Sequence, residues 1–382
     1  MKTFEIVVPV LFGIESVCAK EIRNLGYETT EVTDGRITFL GDLEAVARAN
    51  IGLRTGERVL LKIGKFKAES FTELFDKCNA LPWAEILPAD CKFPVKGSSL
   101  KSKLHSVPDC QSIIKKSIVE ALKKQHKTEI LPETGEIHPI VFRIFKDEVS
   151  IMLDTSGVGL HKRGYRVLHN EAPMKETMAA AMVILSRFKY DGVFADPFCG
   201  SGTIPIEAGL IAKNIAPGLF RKFSAEFMPF MDKKYWLDAR QEARDEMRES
   251  KLKIFASDIE QSAVDLTLGN CKKAHVDDLF TVTRCEVKNF SNPSKFGTIV
   301  CNPPYGERLS DKETCKIIAR EMGMVKKRMP GWDMFALTPL EGFEKAFGAE
   351  ADKKRKLYNG MIRCDLYQFG RKISDKKDGT RN

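Results

Sequence analysis

The sequence predicts an α/β protein in two parts: an α+β N-terminal module, then a doubly wound, mostly parallel seven-stranded sheet beginning near residue 161. Three observations predict it. The first ~66 residues read β-α-β-β-α-β from apolar alternation and turn signals. From about His161, short apolar strands alternate with helices, the pattern of a parallel sheet buried on both faces. Finally, "FADPFCGSGTIPIEA", residues 194–208, has the form strand, glycine turn, helix, which in such sheets marks a ligand site at the carboxyl end of a strand.

The elements follow in order. Residues 4–9 form an apolar strand, and a helical stretch opens at Gly13 and closes at Gly26. "TTEVTDGRITFL" reads as two strands joined by an Asp34-Gly35 turn. "DLEAVARAN" is a helix capped by Asp42, and "ERVLLKIGKF" returns to strand. This order is the ferredoxin-like pattern, assigned to residues 1–66. Over residues 67–160 the reading is a helix near 70–79, a short strand at 92–95, a helix at 108–127, and the strands "HPIVFRIF" and "EVSIMLDT". Between that short strand and the start of its helix lie Lys96, Ser99, Lys101, Lys103 and His105 among few apolar residues, with Lys115 following within the helix. The segment is expected to be solvated and to seek phosphates, although taken alone an ordinary basic surface loop would account for it equally well.

Residues 161–382 supply the sheet. Its strands are "GVFAD", "KIFASD", "FTVTRCEV", "GTIVCN", "DMFALT", and a closing pair around "KRKLYN" and "IRCDLYQFG". Helices are expected at 174–188, from Thr203, from Gln261 and at 312–328. Residues 217–250, aromatic at first and then charged and helical, read as an insertion packed on the flank of this sheet domain.

Composition narrows the function class. With 382 residues and 43% hydrophobic content the chain can bury substantial cores, and its net charge of +9 favours an anionic partner without proving one. Ten cysteines without CxxC or Cys/His clustering read as free thiols of a reducing cytosol rather than a zinc site. No window approaches the ~18 apolar residues of a membrane span, and the apolar N-terminal run carries Glu5 and no cleavage pattern, so a soluble cytoplasmic protein is expected.

In the glycine turn, Gly200 and Gly202 admit close approach of a ligand to the backbone, and the helix start beyond Thr203 offers unpaired N–H groups. A nicotinamide fingerprint would want a glycine where Pro205 stands and an acid about 20 positions further on, and both are missing. Asp196 ends the first strand where it would repel a pyrophosphate, and Asp258 ends the next where ribose hydroxyls would lie. Two acids beside a glycine turn suit a cationic nucleoside, S-adenosylmethionine.

"FGTIVCNPPYGERL", residues 296–309, ends a strand in a rigid, donor-poor turn. The lone pair of a nucleobase exocyclic amine is delocalised into its ring. Two acceptors on the amine hydrogens can localise it, and the Asn302 side-chain carbonyl with the Pro303 backbone carbonyl are suited to that task, since Pro303 and Pro304 fix φ and remove N–H donors. Tyr305 is expected to stack on the base through its ring face, with its hydroxyl dispensable.

"NPPY" together with "DPFCGSGT" resembles the class I methyltransferases that modify exocyclic amines of nucleobases. The N-terminal module resembles a ferredoxin-like plus THUMP RNA-binding unit. "DTSGVGLHKRGYR", "EAPMKETMAAA", "NPPYGERL" and "KLYNG" resemble the large-subunit ribosomal RNA guanine-N2 methyltransferases, over nearly the whole chain. The resemblance implies a Rossmann-like methyltransferase domain at 161–382 preceded by a THUMP domain at 67–160. It implies an S-adenosylmethionine site at Asp196, Pro197, Cys199, Gly200, Ser201, Gly202, Thr203, Asp258, Ile259 and Asn289. It further implies a catalytic turn at Asn302, Pro303, Pro304 and Tyr305, RNA contacts extended by Lys162, Arg163 and Arg166, and no metal. Asn289 stands where the family carries an acid, and the chain has one methyltransferase domain where some members have two. The expected activity is methylation of guanosine N2 in 23S ribosomal RNA, free or in a precursor particle. Adenine N6, a transfer-RNA guanine, and a non-catalytic RNA-binding assembly factor remain as alternatives.

Overall fold

The computed structural model describes residues 3–166, 174–306 and 309–370, and forms two compact units. The first comprises Met1–Leu11, Glu15–Arg163 and Ala216–Glu246; the second comprises Phe12–Ile14, Gly164–Ile215 and Met247–Asn382. Of the motifs above, Glu171, Ala172, Pro173, Glu307 and Arg308 lie outside the described residues.

The first unit is built on one seven-stranded sheet: β1 (Phe4–Pro9), β2 (Thr29–Thr33), β3 (Arg36–Gly41), β4 (Leu60–Lys67), β5 (Val95–Leu100), β6 (Ile140–Phe145) and β7 (Glu148–Asp154), in the order β2-β3-β1-β4-β7-β6-β5. β1 runs antiparallel to both β3 and β4, as a ferredoxin-like unit requires. β4 then pairs with β7 along its length, so the strands read as two separate modules share a single sheet. Pairing of β4 to β7 removes an unprotected edge from each.

Two expectations change here. The strand expected at 92–95 is Val95–Leu100, parallel to β6, so Lys96 and Ser99 of the basic segment lie on an edge strand rather than in a loop. Residues 217–246 of the insertion belong to the first unit. The Gly218 N–H donates to the Ile51 carbonyl at 2.9 Å, and a Cβ on Gly218 would lie 2.6 Å from the Asn50 carbonyl oxygen. Asp232 caps the helix Lys233–Asp245, whose Glu242 forms a paired contact with Arg48 of the helix Leu43–Gly52 at 2.7 and 2.5 Å. Trp236 stacks on Phe223 with ring centroids 5.2 Å apart.

The second unit carries β8 (Val193–Asp196), β9 (Lys253–Asp258), β10 (Phe280–Arg284), β11 (Gly297–Cys301), β12 (Trp332–Thr338), β13 (Lys353–Asn359) and β14 (Ile362–Phe369), in the order β10-β9-β8-β11-β12-β14-β13. The first five in this order are parallel, and the β13–β14 hairpin adds antiparallel strands against β12. The chain leaves β8 toward β9 on one side and later returns as β11 on the other. That switch of direction opens a crevice at the carboxyl ends of β8 and β11. One face is filled by a core containing Ala319, Met322 and Val325 of the helix Leu309–Arg328 with Phe343, Phe347, Tyr367 and Phe369. All ten cysteines are free thiols, and no described helix is long and apolar enough to cross a membrane.

Candidate active site

The glycine turn after β8 is shaped by backbone geometry. Gly200 and Gly202 adopt φ of +53° and +83°, which residues bearing a Cβ rarely take. Among the described residues, no atom beyond those of its chain neighbours lies within 4 Å of where a Cβ of Gly200 would stand, so these residues leave open room at that point. Gly202 is the N-cap of the helix Thr203–Ala212 and brings no side chain, so among the described residues the first-turn N–H groups have no side-chain cap, and Pro205 sits in that turn where its missing donor costs nothing.

The helix Gln261–Lys273 holds the turn in place. Thr267 donates its hydroxyl proton toward the Gly200 carbonyl at 3.0 Å, and the Asn270 amide donates to the Ser201 carbonyl at 2.9 Å. Thr267 and Asn270 are fully buried or nearly so. Both were missed in the sequence, although polar residues three apart on the apolar face of a helix are a readable signal. Pro197 and Ser201 are buried; the Ser201 hydroxyl lies 3.3 Å from that of Thr203.

Two carboxylates frame the turn. Asp258 accepts from the Gly200 N–H at 3.0 Å and the Glu260 N–H at 3.1 Å, keeping further lone pairs for a ligand. Asp196 is 1% exposed and accepts from the Phe198 N–H at 3.0 Å. Burial, with the nearby Asp258 charge adding, pushes its carboxyl up to about 8. A cationic ligand would restore its ionised form. The Cys199 thiol is likewise raised by burial and by Asp196, and stays neutral. Ile259 is 52% exposed, an apolar surface at the crevice, and Asn289 is exposed on the short turn Val287–Asn289.

β11 pairs Ile299 with Ala195 of β8, so Asn302 and Asp196 leave the sheet at the same end. Within the turn, Pro303 is buried, Pro304 is exposed, and the Cys315 thiol donates to the Pro304 carbonyl at 3.2 Å. The Tyr305 hydroxyl donates to Asn302 Oδ1 at 2.5 Å, and accepts from Asn359 Nδ2 at 3.0 Å. Burial, together with Cys364, raises the Tyr305 phenol above its ordinary value, so it remains protonated. The hydroxyl is therefore tied to Asn302, which reading the ring as a stacking face alone did not foresee.

The basic residues separate into exposed and engaged. Lys96 and Lys101 are exposed and make no ion pair among the described residues; Lys162 is exposed too. Lys103 pairs with Glu69, and Lys115 pairs with Glu133 at 2.7 Å over the Phe93 ring. The Ser99 hydroxyl donates to the Leu104 carbonyl, and His105 Nδ1 lies 3.0 Å from the Lys103 carbonyl. Two assignments need correction. Arg163 is 6% exposed, with its guanidinium donating to the Leu160 and Arg54 carbonyls, so it is not open to RNA. Arg166 pairs with Glu176 at 2.7 Å and donates to the Thr203 hydroxyl at 3.2 Å, bracing the start of the helix beyond the glycine turn.

A parallel sheet with its switch point at β8, a glycine turn backed by two carboxylates, and an Asn-Pro-Pro-Tyr turn on the neighbouring strand together define a class I methyltransferase, whose methyl donor is S-adenosylmethionine. Residues 163–368 match the RMKL-like methyltransferase domain, residues 5–60 the RlmL ferredoxin-like domain and residues 68–154 the THUMP domain, and the chain belongs to the RMKL-like methyltransferase family. It is 45% identical over 385 residues, with both chains fully covered, to a Bacillus subtilis (strain 168) protein named "Putative RNA methyltransferase YpsC". Among solved structures it resembles one described as a "predicted N6-adenine-specific DNA methylase" from Listeria monocytogenes, at 47% identity, 97% of each chain and a TM-score of 0.91. A second is SMU.472, described as "a putative methyltransferase complexed with SAH", at 40% identity, 100% of each chain and a TM-score of 0.91.

Proposed function

We propose that this chain methylates RNA, at the exocyclic N2 amine of a guanosine in 23S ribosomal RNA. The observation that carries the reading is the Asn302-Pro303 pair of carbonyls at the carboxyl end of β11, beside the glycine turn of β8. Open room at Gly200 and the uncapped helix start fit the cofactor, and the reading assigns Asp196, Asp258, Ile259 and Asn289 to hold it. S-adenosylmethionine supplies an electrophilic methyl group when bound.

The chain's own residues do the rest. Asn302 and Pro303 accept from the two amine hydrogens, drawing the nitrogen lone pair out of the ring toward the methyl group. Neither carbonyl takes up a proton; the proton leaves to water once the nitrogen is methylated. Tyr305 offers its ring to the base, which must first leave its stack to reach the turn. Lys96, Lys101 and Lys162 supply the phosphate contacts, leaving Lys103 and Lys115 with their intramolecular partners.

The choice of a ribosomal guanosine is supported by the likeness in "DTSGVGLHKRGYR" and "KLYNG" and by the matched RlmL ferredoxin-like domain. A second reading, adenine N6, is favoured by the description of the Listeria relative, since the turn can hold either amine. Mass spectrometry of nucleosides from 23S and transfer RNA of cells lacking the gene separates them. Loss of N2-methylguanosine from 23S RNA is expected; its loss from transfer RNA alone, or loss of N6-methyladenosine, would replace the target. Unchanged nucleosides in every RNA would favour a binding factor without activity.

A further inference from the structure

We propose that Asn359, at the tip of the β13–β14 hairpin, is a positioning residue for methyl transfer that orients the Asn302 carbonyl through the Tyr305 hydroxyl. The proposal rests on the amine-accepting role of Asn302. β14 runs antiparallel to β12, pairing Asp365 with Thr338 at that strand's carboxyl end. The two-residue turn Gly360-Met361, with Gly360 at φ +62°, therefore hangs over the same end of the sheet as Asn302. Asn359, half-buried, is the last residue of β13 before it.

The donor inventory sets the sense of the relay. An amide nitrogen can only donate, so the Asn359 Nδ2 contact at 3.0 Å takes a lone pair of the phenol oxygen. The single phenol hydrogen is then committed to Asn302 Oδ1, at 2.5 Å. Asn302 is thus held with its carbonyl turned to one side, keeping a second lone pair for the target amine, and its NH2 group, which would repel that amine, is kept away. If residue 359 presented a carbonyl instead, it would compete for the phenol hydrogen and leave the Asn302 amide free to turn. Cys364 of β14 also faces the phenol, and its thiol is raised by burial, so it stays neutral over the range used below.

The test is single-turnover transfer of tritiated methyl groups from S-adenosylmethionine to total RNA from cells lacking the gene. Asn359→Asp replaces the donor with an acceptor of the same shape. At pH 8 it is expected to slow transfer about tenfold, the worth of one neutral hydrogen bond, with cofactor and RNA affinity unchanged. As pH falls toward about 4, the ordinary range of an aspartate, the new carboxyl gains a proton it can donate to the phenol, so the rate relative to wild type should recover. Tyr305→Phe should show a similar loss without recovery, and adding Asn359→Asp to it should cost nothing more. Tyr305→Phe also keeps the idea testable if the Asp variant fails to fold. A pH-independent deficit in Asn359→Asp, or wild-type rates in either variant while Asn302→Ala is slow, overturns the relay alone. Near-normal rates in Asn302→Ala overturn the underlying role of Asn302.

Discussion

The hydroxyl of Tyr305 donates to the side-chain carbonyl of Asn302 at 2.5 Å, three residues away across a Pro-Pro turn. On the proposed mechanism tyrosine there has two functions, a ring for the base and a proton for the asparagine. Asn302→Ala is expected to reduce the single-turnover rate about 10²–10³-fold, the loss of one preorganised polar contact, with cofactor affinity retained. Tyr305→Ala should lose both functions and be slower than Tyr305→Phe. Equal rates for the two tyrosine variants would remove the ring from the mechanism.

If Asp196 holds the cofactor as proposed, its buried carboxyl couples that binding to pH. Its carboxyl is pushed up to about 8 by burial and then by Asp258, whereas an unfolded aspartate titrates near about 3.9. The folded state therefore holds a proton that the unfolded state has released. The stability this contributes is complete below the unfolded value and is lost as pH rises through the folded one. Asp196→Asn should raise the melting temperature of the cofactor-free protein at pH 9 and much less at pH 5, while calorimetry detects no cofactor binding. A melting shift independent of pH would contradict the buried, protonated aspartate.

RNA affinity tests the division of the lysines. Lys101→Glu is expected to lower the log–log salt slope of RNA binding by roughly 1, since it removes one phosphate contact. Lys103→Glu should change it less, because Lys103 already faces Glu69. Equal slopes for both variants and wild type in a filter-binding titration would leave the basic segment as solvated surface.

Gly323 lies in the helix Leu309–Arg328, where alanine would ordinarily stabilise by about 1 kcal/mol. A Cβ there would stand 1.9 Å from the Phe347 carbonyl oxygen, a contact with backbone that cannot easily yield. Overpacking of this kind costs about 1–3 kcal/mol and should decide the sign. Gly323→Ala is expected to lower the midpoint of denaturant unfolding; a raised midpoint would mean the two helices can separate freely.

The sequence by itself determined the elements whose cause is local. Apolar alternation and turn residues are enough for the ferredoxin-like order, since β1, β2, β3 and β4 each follow from their own residues and caps. The glycine turn was legible because positive φ at Gly200 and Gly202 is a backbone requirement written in single residues. The second turn was legible because two prolines closing a strand are a local signal too, with the asparagine and tyrosine on either side.

Tertiary structure alone decided what depends on pairing across long separations. Nothing local to β4 or β7 announces that they join two modules into one sheet, because an edge strand's partner is selected by geometry elsewhere. The insertion's attachment to Asn50, Ile51 and Arg48 was equally hidden, since its aromatic and charged residues would serve either unit. Arg163 and Arg166 read as cations facing RNA, yet folding turned one onto backbone carbonyls and the other onto Glu176 and Thr203. The hydroxyl of Tyr305 shows the same limit: its partner Asn359 lies 54 residues away, and only the β13–β14 hairpin's register against β12 brings that amide to the carboxyl end of the sheet.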